Sequence, residues 1–262
     1  MHFTKMHGLG NDYLYVFGEV PEDIVSLSKK LSDRHFGVGS DGMIFISPSD
    51  NADFKMRIFN ADGSEAKMCG NGIRCVGKYV YDKGYTDRVN LTIETLSGIK
   101  NLDMTTRNGK VSAVQVNMGI ATVGEQKSFA LNDNTFNYMP VSVGNPHAVI
   151  FVPDVSSIPL EEYGPVIEHM PDYPDGVNVE FVELVDSNEL RMRVWERGSG
   201  ITLACGTGAC ASTAAAVAKG ICERNCLITM HLDGGDLHIT VLDDNTVIMQ
   251  GPAETICEGE TV

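Results

Sequence analysis

The chain predicts an α+β protein of two pseudo-symmetric domains, each a curved, mostly antiparallel sheet around a central helix, with the active site in the cleft between them. Three observations carry this expectation. A series of motifs recurs in the same order at a nearly constant interval. Period-two alternation marks short strands in both halves. One helical segment per half follows a Cys-Gly-x-Gly sequence.

The repeat is read first. Lys55-Met56-Arg57-Ile58-Phe59-Asn60 matches Arg191-Met192-Arg193-Val194-Trp195-Glu196, and both alternate as half-buried strands do. Cys69-Gly70-Asn71-Gly72 follows the first, and Cys205-Gly206-Thr207-Gly208 follows the second. Met192 lies 136 residues after Met56, and Cys205 lies 136 after Cys69. Upstream, Gly10-Asn11 precedes an apolar run from Tyr13 to Phe17, and Gly144-Asn145 precedes one from Ala148 to Val152, an offset of 134. Three matches in one order indicate two homologous halves: residues 1–116 with a C-terminal return over 250–262, and residues 117–249.

After each Cys-Gly-x-Gly the pattern becomes helical. Ile73 to Lys83 stops at Gly84, and Ala209 to Lys219 stops at Gly220, each with a basic residue before the terminal glycine. The second segment is rich in alanine and small on every face, so it suits a deep position. Asn108-Gly109, Asp233-Gly234-Gly235 and Asp243-Asp244-Asn245 punctuate the strands around them.

Composition narrows the function. At 262 residues and 43% hydrophobic, the chain can bury a substantial core. A formal charge of −15 repels phosphate backbones and anionic lipid, which argues against nucleic acid and membrane partners. The opening residues Met1 to His7 form no apolar run of signal-peptide length, so a cytoplasmic protein is expected. Seven cysteines without a Cys-x-x-Cys fit neither a disulfide scaffold nor a zinc ribbon. Cys222, Cys226 and Cys257 read as small buried hydrophobes.

Cys69 and Cys205 read differently. A helix start offers unpaired N–H groups and a partial positive charge, and flanking glycines let a ligand approach the backbone. Such a place binds a carboxylate and is expected to lower a cysteine pKa. One such cysteine could be an acyl-transfer nucleophile, a redox thiol or a structural residue. Two in paired halves suit a two-base inversion, in which one thiolate removes an α-proton and the other thiol returns one to the opposite face.

Asn60-Ala61-Asp62-Gly63-Ser64 leading to Cys69, and Glu196-Arg197-Gly198-Ser199-Gly200 leading to Cys205, resemble the diaminopimelate epimerase family. So do Gly8-Leu9-Gly10-Asn11-Asp12, Gly144-Asn145-Pro146-His147, Gly176-Val177-Asn178-Val179-Glu180 and Gly251-Pro252-Ala253. The resemblance runs from Gly8 to Ala253. It implies cofactor-independent epimerisation of L,L-2,6-diaminopimelate to the meso form, in lysine and peptidoglycan precursor biosynthesis, by a homodimer. Carried over residue by residue, it implies that Cys205 takes the proton and Cys69 returns one. Gly70, Asn71, Gly206 and Thr207 hold the reacting carboxylate through backbone N–H groups. Asn11, Asn60, Asn145, Asn178 and Arg197 hold the rest of the substrate, while His147 and Glu196 support the reacting centre.

Each residue also has a plainer reading. An Asn beside Gly is ordinarily a turn residue, a His after Pro a loop histidine, and an Arg a surface charge. One position departs from the family pattern: after Gly37-Val38-Gly39-Ser40-Asp41 many members carry Gln, and this chain has Gly42. A proline racemase-like two-cysteine racemase is the nearest alternative. A pyridoxal-phosphate racemase would need a lysine and phosphate cradle that the sequence does not frame. A redox or metal-binding thiol protein would show disulfide or metal content that tracks function, and a ligand-binding module on the same fold would not require both thiols.

Overall fold

A computed structural model describes residues 1–131 and 134–262. The chain divides into two compact units, Met1–Val116 with Gly251–Val262, and Asn117–Gln250.

The first unit contains β1 (His2–Gly8), β2 (Asn11–Phe17), α1 (Ile24–Ser32), β3 (Gly42–Ser47), β4 (Phe54–Asn60), β5 (Glu65–Ala66), α2 (Gly70–Asp82), β6 (Asn90–Thr95), β7 (Gly98–Arg107) and β8 (Lys110–Ile120), in which the boundary falls. Strand β2 pairs antiparallel with β1 and parallel with β3; β3 pairs antiparallel with β4, and β4 parallel with β6. Strands β6, β7 and β8 then form an antiparallel meander.

The second unit contains β9 (Thr122–Val123), β10 (Lys127–Leu131), β11 (Asn134–Ser142), β12 (Pro146–Phe151), α3 (Leu160–Glu168), β13 (Asn178–Asp186), β14 (Glu189–Glu196), β15 (Gly200–Ile201), α4 (Gly206–Ala218), β16 (Ile228–Leu232), β17 (Gly235–Val241) and β18 (Thr246–Gly251). Its order repeats the first. Strand β12 pairs antiparallel with β11 and parallel with β13; β13 pairs antiparallel with β14, and β14 parallel with β16. The meander β16–β17–β18 is again antiparallel. Each unit is thus α+β with a mixed sheet in which antiparallel pairs predominate. The final strand β19 (Glu254–Glu260) pairs with β1 in the first unit.

Each unit packs one helix deeply. All residues from Gly70 to Val80 of α2 are buried, as are all from Ala209 to Val217 of α4. Helix α4 contacts β11 to β14 and β16 to β17, which its alanines permit because no long side chain holds the strands away. Both helices begin three residues earlier than the apolar pattern indicates. The Gly-x-Gly sequences form their first turns, because glycine is tolerated where the backbone must pass close beneath other atoms.

Burial of the cysteines corrects one expectation. Cys222 is buried, but Cys226 is half-buried and Cys257 exposed. Cys226 sits in the turn before β16, and Cys257 lies on β19, where no residue is buried. All seven cysteines are free thiols. Among the described residues no helix is long and apolar enough to cross a membrane.

Candidate active site

Each unit carries one local frame, a cysteine at a helix start. Cys69 is the N-cap of α2, with an extended backbone (φ −137°, ψ 118°), and its Sγ accepts from the Gly72 N–H at 3.3 Å. Cys205 is the N-cap of α4 (φ −112°, ψ 108°), and its Sγ accepts from the Gly208 N–H at 3.3 Å. A sulfur does in both places what a Ser or Asp oxygen usually does at a helix start. The first-turn N–H groups around Gly70-Asn71 and Gly206-Thr207 lack intrahelical acceptors by construction, so each frame can hold a carboxylate.

The third residue of each turn must be glycine. A Cβ on Gly72 would lie 2.7 Å from Ile44 Cδ1, and a Cβ on Gly208 would lie 2.7 Å from Glu180 Oε1. Ile44 on β3 and Glu180 on β13 therefore occupy equivalent places beneath equivalent turns.

Around Cys69 the support is largely amide and phenol. Asn11 Oδ1 accepts from Cys69 Sγ at 3.3 Å, and Asn11 Nδ2 donates to Asp41 at 2.7 Å. Arg34 ties Asp41 to Asp12, and Lys5 lies 3.0 Å from Asp12, so a small ion cluster fixes the Asn11 amide. Tyr13, two residues on from Asn11 and so on the same strand face, is in hydrogen-bonding reach of Asn11 and Cys69. Burial first, then the charges of Cys69 and Asp41, hold its phenol well above the usual range. Asn71 is buried, and its side-chain Oδ1 accepts from Arg74 at 3.0 Å. Asn60 ends β4, paired with Gly42, and its amide donates to Ser64 at 3.0 Å within the turn that follows.

Around Cys205 the support is charged. His147 lies in β12, wholly buried, with Nδ1 2.6 Å from Glu180 Oε1 and Nε2 3.1 Å from Asn145 Oδ1. It is a strand residue, not a loop histidine. Asn145 Nδ2 donates to Thr207 Oγ1 at 3.3 Å, and Thr207 Oγ1 lies 3.5 Å from Cys205 Sγ. Glu196 accepts from Thr202 and lies in hydrogen-bonding reach of Cys205; burial raises its carboxyl.

Burial also pushes the Cys205 thiol well above its ordinary range, with the charges of Glu196 and Glu180 adding to the rise. The Thr207 and Gly208 hydrogen bonds oppose this but lose. The expectation of a lowered pKa is therefore corrected for Cys205: desolvation and two carboxylates outweigh the helix terminus.

Arg197 is exposed. Its backbone N–H donates to Asn178 Oδ1 at 2.9 Å, and its guanidinium reaches only the Asp175 carbonyl, at 3.4 Å. Among the described residues it has no carboxylate partner. Asn178 is buried and also donates to the Pro146 carbonyl at 3.2 Å, so it shapes the loop that carries Arg197. Glu168 at the end of α3 anchors the same loop, accepting from Gly198 N–H at 2.8 Å and Trp195 Nε1 at 2.7 Å.

A family model described as diaminopimelate epimerase matches residues 3–123 and 139–256. The chain belongs to the diaminopimelate epimerase family. Relatives bearing that description include one from Methanococcus maripaludis, 53% identical with 99% of each chain covered. Another, from Acetivibrio thermocellus, is 51% identical over 99% of this chain and 98% of its own. Among solved structures, a hydroxyproline epimerase from Agrobacterium vitis aligns with TM-score 0.75 at 18% identity, covering 99% of this chain and 90% of its own. A Bacillus anthracis protein of the PhzF family aligns with TM-score 0.78 at 16% identity, covering 100% and 99%. These two share the fold.

Within the family, the departure at Gly42 has a backbone cause in this chain. Gly42 has φ +154°, and a Cβ there would lie 2.1 Å from the Phe59 carbonyl oxygen. No side chain fits without moving β4 and, with it, Asn60. Tyr13 and Glu168 are site neighbours that lie outside the motifs, and Glu180 lies within one but was given no role. The 134-residue offset that pairs Asn11 with Asn145 also pairs Tyr13 with His147, which is the signal that could have found Tyr13.

Proposed function

We propose that this chain is an isomerase that epimerises L,L-2,6-diaminopimelate to the meso form without a cofactor, supplying lysine and peptidoglycan precursor synthesis. The observation that carries this reading is the duplicated cysteine N-cap, one per unit, on the frame of a diaminopimelate epimerase. The α-carboxylate is held by first-turn N–H groups at a cysteine-capped helix start. Cys205, as thiolate, takes the α-proton; the carbanion is held by the hydrogen-bonded carboxylate; Cys69 gives its S–H proton to the opposite face. The cycle leaves Cys205 as thiol and Cys69 as thiolate, and proton exchange with water restores the start. The assignment of the two roles follows the family resemblance: Cys69 Sγ donates to Asn11 Oδ1, and each sulfur accepts one first-turn N–H. The substrate ammonium, arriving near Glu196 and Glu180, would offset the charges that keep the Cys205 proton on.

Asn11, Asn60, Asn145 and Asn178 hold the rest of the substrate, His147 and Glu196 support the reacting centre, and the Arg197 guanidinium takes the distal carboxylate. That last group favours a substrate with two amino-acid heads over a proline-like one. A cytoplasmic homodimer belongs to the same reading; sedimentation as a monomer would count against that part. The test is turnover of L,L-diaminopimelate in deuterated water with chiral analysis. Product should carry α-deuterium, and Cys69→Ala and Cys205→Ala should each abolish conversion. Near-normal turnover in either variant overturns the two-base mechanism.

A further inference from the structure

Arg197 sits on a turn that is held from outside. Ser199 N–H donates to the Glu196 carbonyl at 3.0 Å, Gly198 has φ +73°, and Arg197 has a negative φ, so the turn is of type II with Arg197 at its first central position. The two central N–H groups have no acceptor within such a turn and must find one elsewhere. Asn178 Oδ1 accepts from the Arg197 N–H at 2.9 Å, and Glu168 Oε1 accepts from the Gly198 N–H at 2.8 Å.

Glu168 also fixes what lies beneath the arginine. Its backbone carbonyl accepts from the Val177 N–H at 3.1 Å, which ties down the segment beginning at Gly176. Gly176 is the floor under the Arg197 stem: a Cβ there would lie 3.0 Å from Arg197 Cγ and Cδ, and 3.5 Å from Glu168 Cγ. Glu168 Oε2 accepts from Trp195 Nε1 at 2.7 Å, so both oxygens of this buried carboxylate are engaged by N–H donors.

The duplication supplies a control. Helix α1 ends at Ser32, and α3 ends at Glu168, 136 residues later. At the same interval Ala61 stands where the second unit has Arg197, and Asp62 where it has Gly198. The turn of the first unit holds itself, because Asp62 Oδ1 accepts from the Ser64 N–H at 2.8 Å and from Ser64 Oγ at 2.6 Å. The copy without the arginine has no carboxylate at the helix end, and the copy with the arginine has one.

We infer that Glu168 is a positioning residue for substrate specificity: by tying the Arg197 turn to the floor beneath its stem, it aims the guanidinium at the distal carboxylate. The inference deepens the proposed function, and rests on Arg197 taking that carboxylate.

The test is a double-variant cycle read as kcat/KM on L,L-diaminopimelate. Glutamine offers one acceptor and one donor where two N–H donors converge, so in Glu168→Gln either Trp195 or Gly198 faces a second donor. With Arg197 present, the variant should lose about tenfold; in an Arg197→Ala background it should lose less than about twofold, because the group being aimed is gone. A loss of the same size in both backgrounds is what a merely structural role gives, and overturns the inference. Adding Trp195→Phe to Glu168→Gln should restore most of the loss, since the amide then meets no indole donor and its oxygen keeps Gly198. No recovery also counts as refutation. Should Glu168→Gln not fold, Glu168→Asp runs the same cycle: it keeps the charge but is one methylene too short to reach both donors, and an additive loss again refutes the assignment. Wild-type protein that leaves diaminopimelate unchanged sinks the proposed function itself, an outcome distinct from a cycle that fails in active protein.

Discussion

Arg197 carries the proposed contact to the distal carboxylate on a single side chain. In a chain of net charge −15 its guanidinium has no carboxylate among the described residues, although Asp and Glu outnumber Lys and Arg by 35 to 20. Arg197→Ala should reduce kcat/KM on diaminopimelate by roughly 1.5–3 kcal/mol in transition-state terms, the value of hydrogen bonds to a charged group. Arg197→Lys should recover only part, since an ammonium lacks the planar fork. An analogue without the distal carboxylate should be insensitive; equal losses on both substrates would assign Arg197 to the reacting centre or the fold. Cys75, buried on α2, provides a stability test. Desolvation pushes its thiol up to about 11. The folded chain holds this proton more tightly than the unfolded chain, whose thiol titrates near 8.5. The stability it contributes is therefore complete below about pH 8.5 and is lost as pH rises toward 11, by about 3 kcal/mol at most. Urea unfolding at about pH 8 and pH 10 should show a smaller alkaline loss in Cys75→Ala than in wild type. The two N-cap cysteines were legible from their place before Gly-x-Gly. The raised Cys205 thiol was not, because it depends on Glu180 and Glu196, which are 25 and 9 residues away in the chain and converge only through strand pairing.

At the scale of elements, α2 and α4 solve one packing problem in two ways. Helix α2 buries Arg74, Lys78 and Tyr79, and it satisfies Lys78 through Asp82 and the Val111 carbonyl. Helix α4 buries alanines on all sides. Ala215→Leu should therefore add volume that no neighbour can yield, costing about 1–3 kcal/mol or more, whereas Ala218→Leu, outside the buried run, should cost little. Thermal melts of the two variants check this; equal midpoints would show that the packing around α4 is loose. The helices were readable from periodicity beyond Ile73 and Ala209. Their first turns were not, since Gly-Asn-Gly and Gly-Thr-Gly have poor helix propensity and are held by a sulfur cap and by what lies beneath, Ile44 and Glu180. The topology followed from the repeat. The parallel pairs β2–β3 and β12–β13 bring Gly42 and Asn178 to matching places, which motif spacing alone does not reveal.

For the whole molecule, charge and duplication lead to separate expectations. The chain is strongly acidic, yet diaminopimelate carries two carboxylates and two ammonium groups and no net charge near neutrality. Long-range steering should then be weak, and kcat/KM should change by less than about twofold when salt is raised past the point where the Debye length falls to about 3 Å. A steep salt dependence would indicate a substrate of net charge. The second unit contains its own apolar cluster, from Tyr138 and Ala148 to Val179 and Phe181, and a complete copy of the topology. Residues 117–250 expressed alone should fold and melt cooperatively but not epimerise, because only one of the two thiols is present. A fragment without cooperative unfolding would show that the second unit depends on the first.

The pairing of β19 with β1 has a consequence for the order of assembly. The first unit is begun by residues that leave the ribosome early, but it is finished by residues 251–262, which emerge after the entire second unit. Until then β1 presents an open edge on the side that β19 will occupy. Domains made in sequence ordinarily complete from the N-terminus onward. Here the half carrying Cys205 can close first, and the half carrying Cys69 must wait with an unpaired strand. A released chain ending just before Gly251 should therefore resist protease over the second unit while β1 remains open to a chaperone, or to the β1 edge of a neighbouring chain.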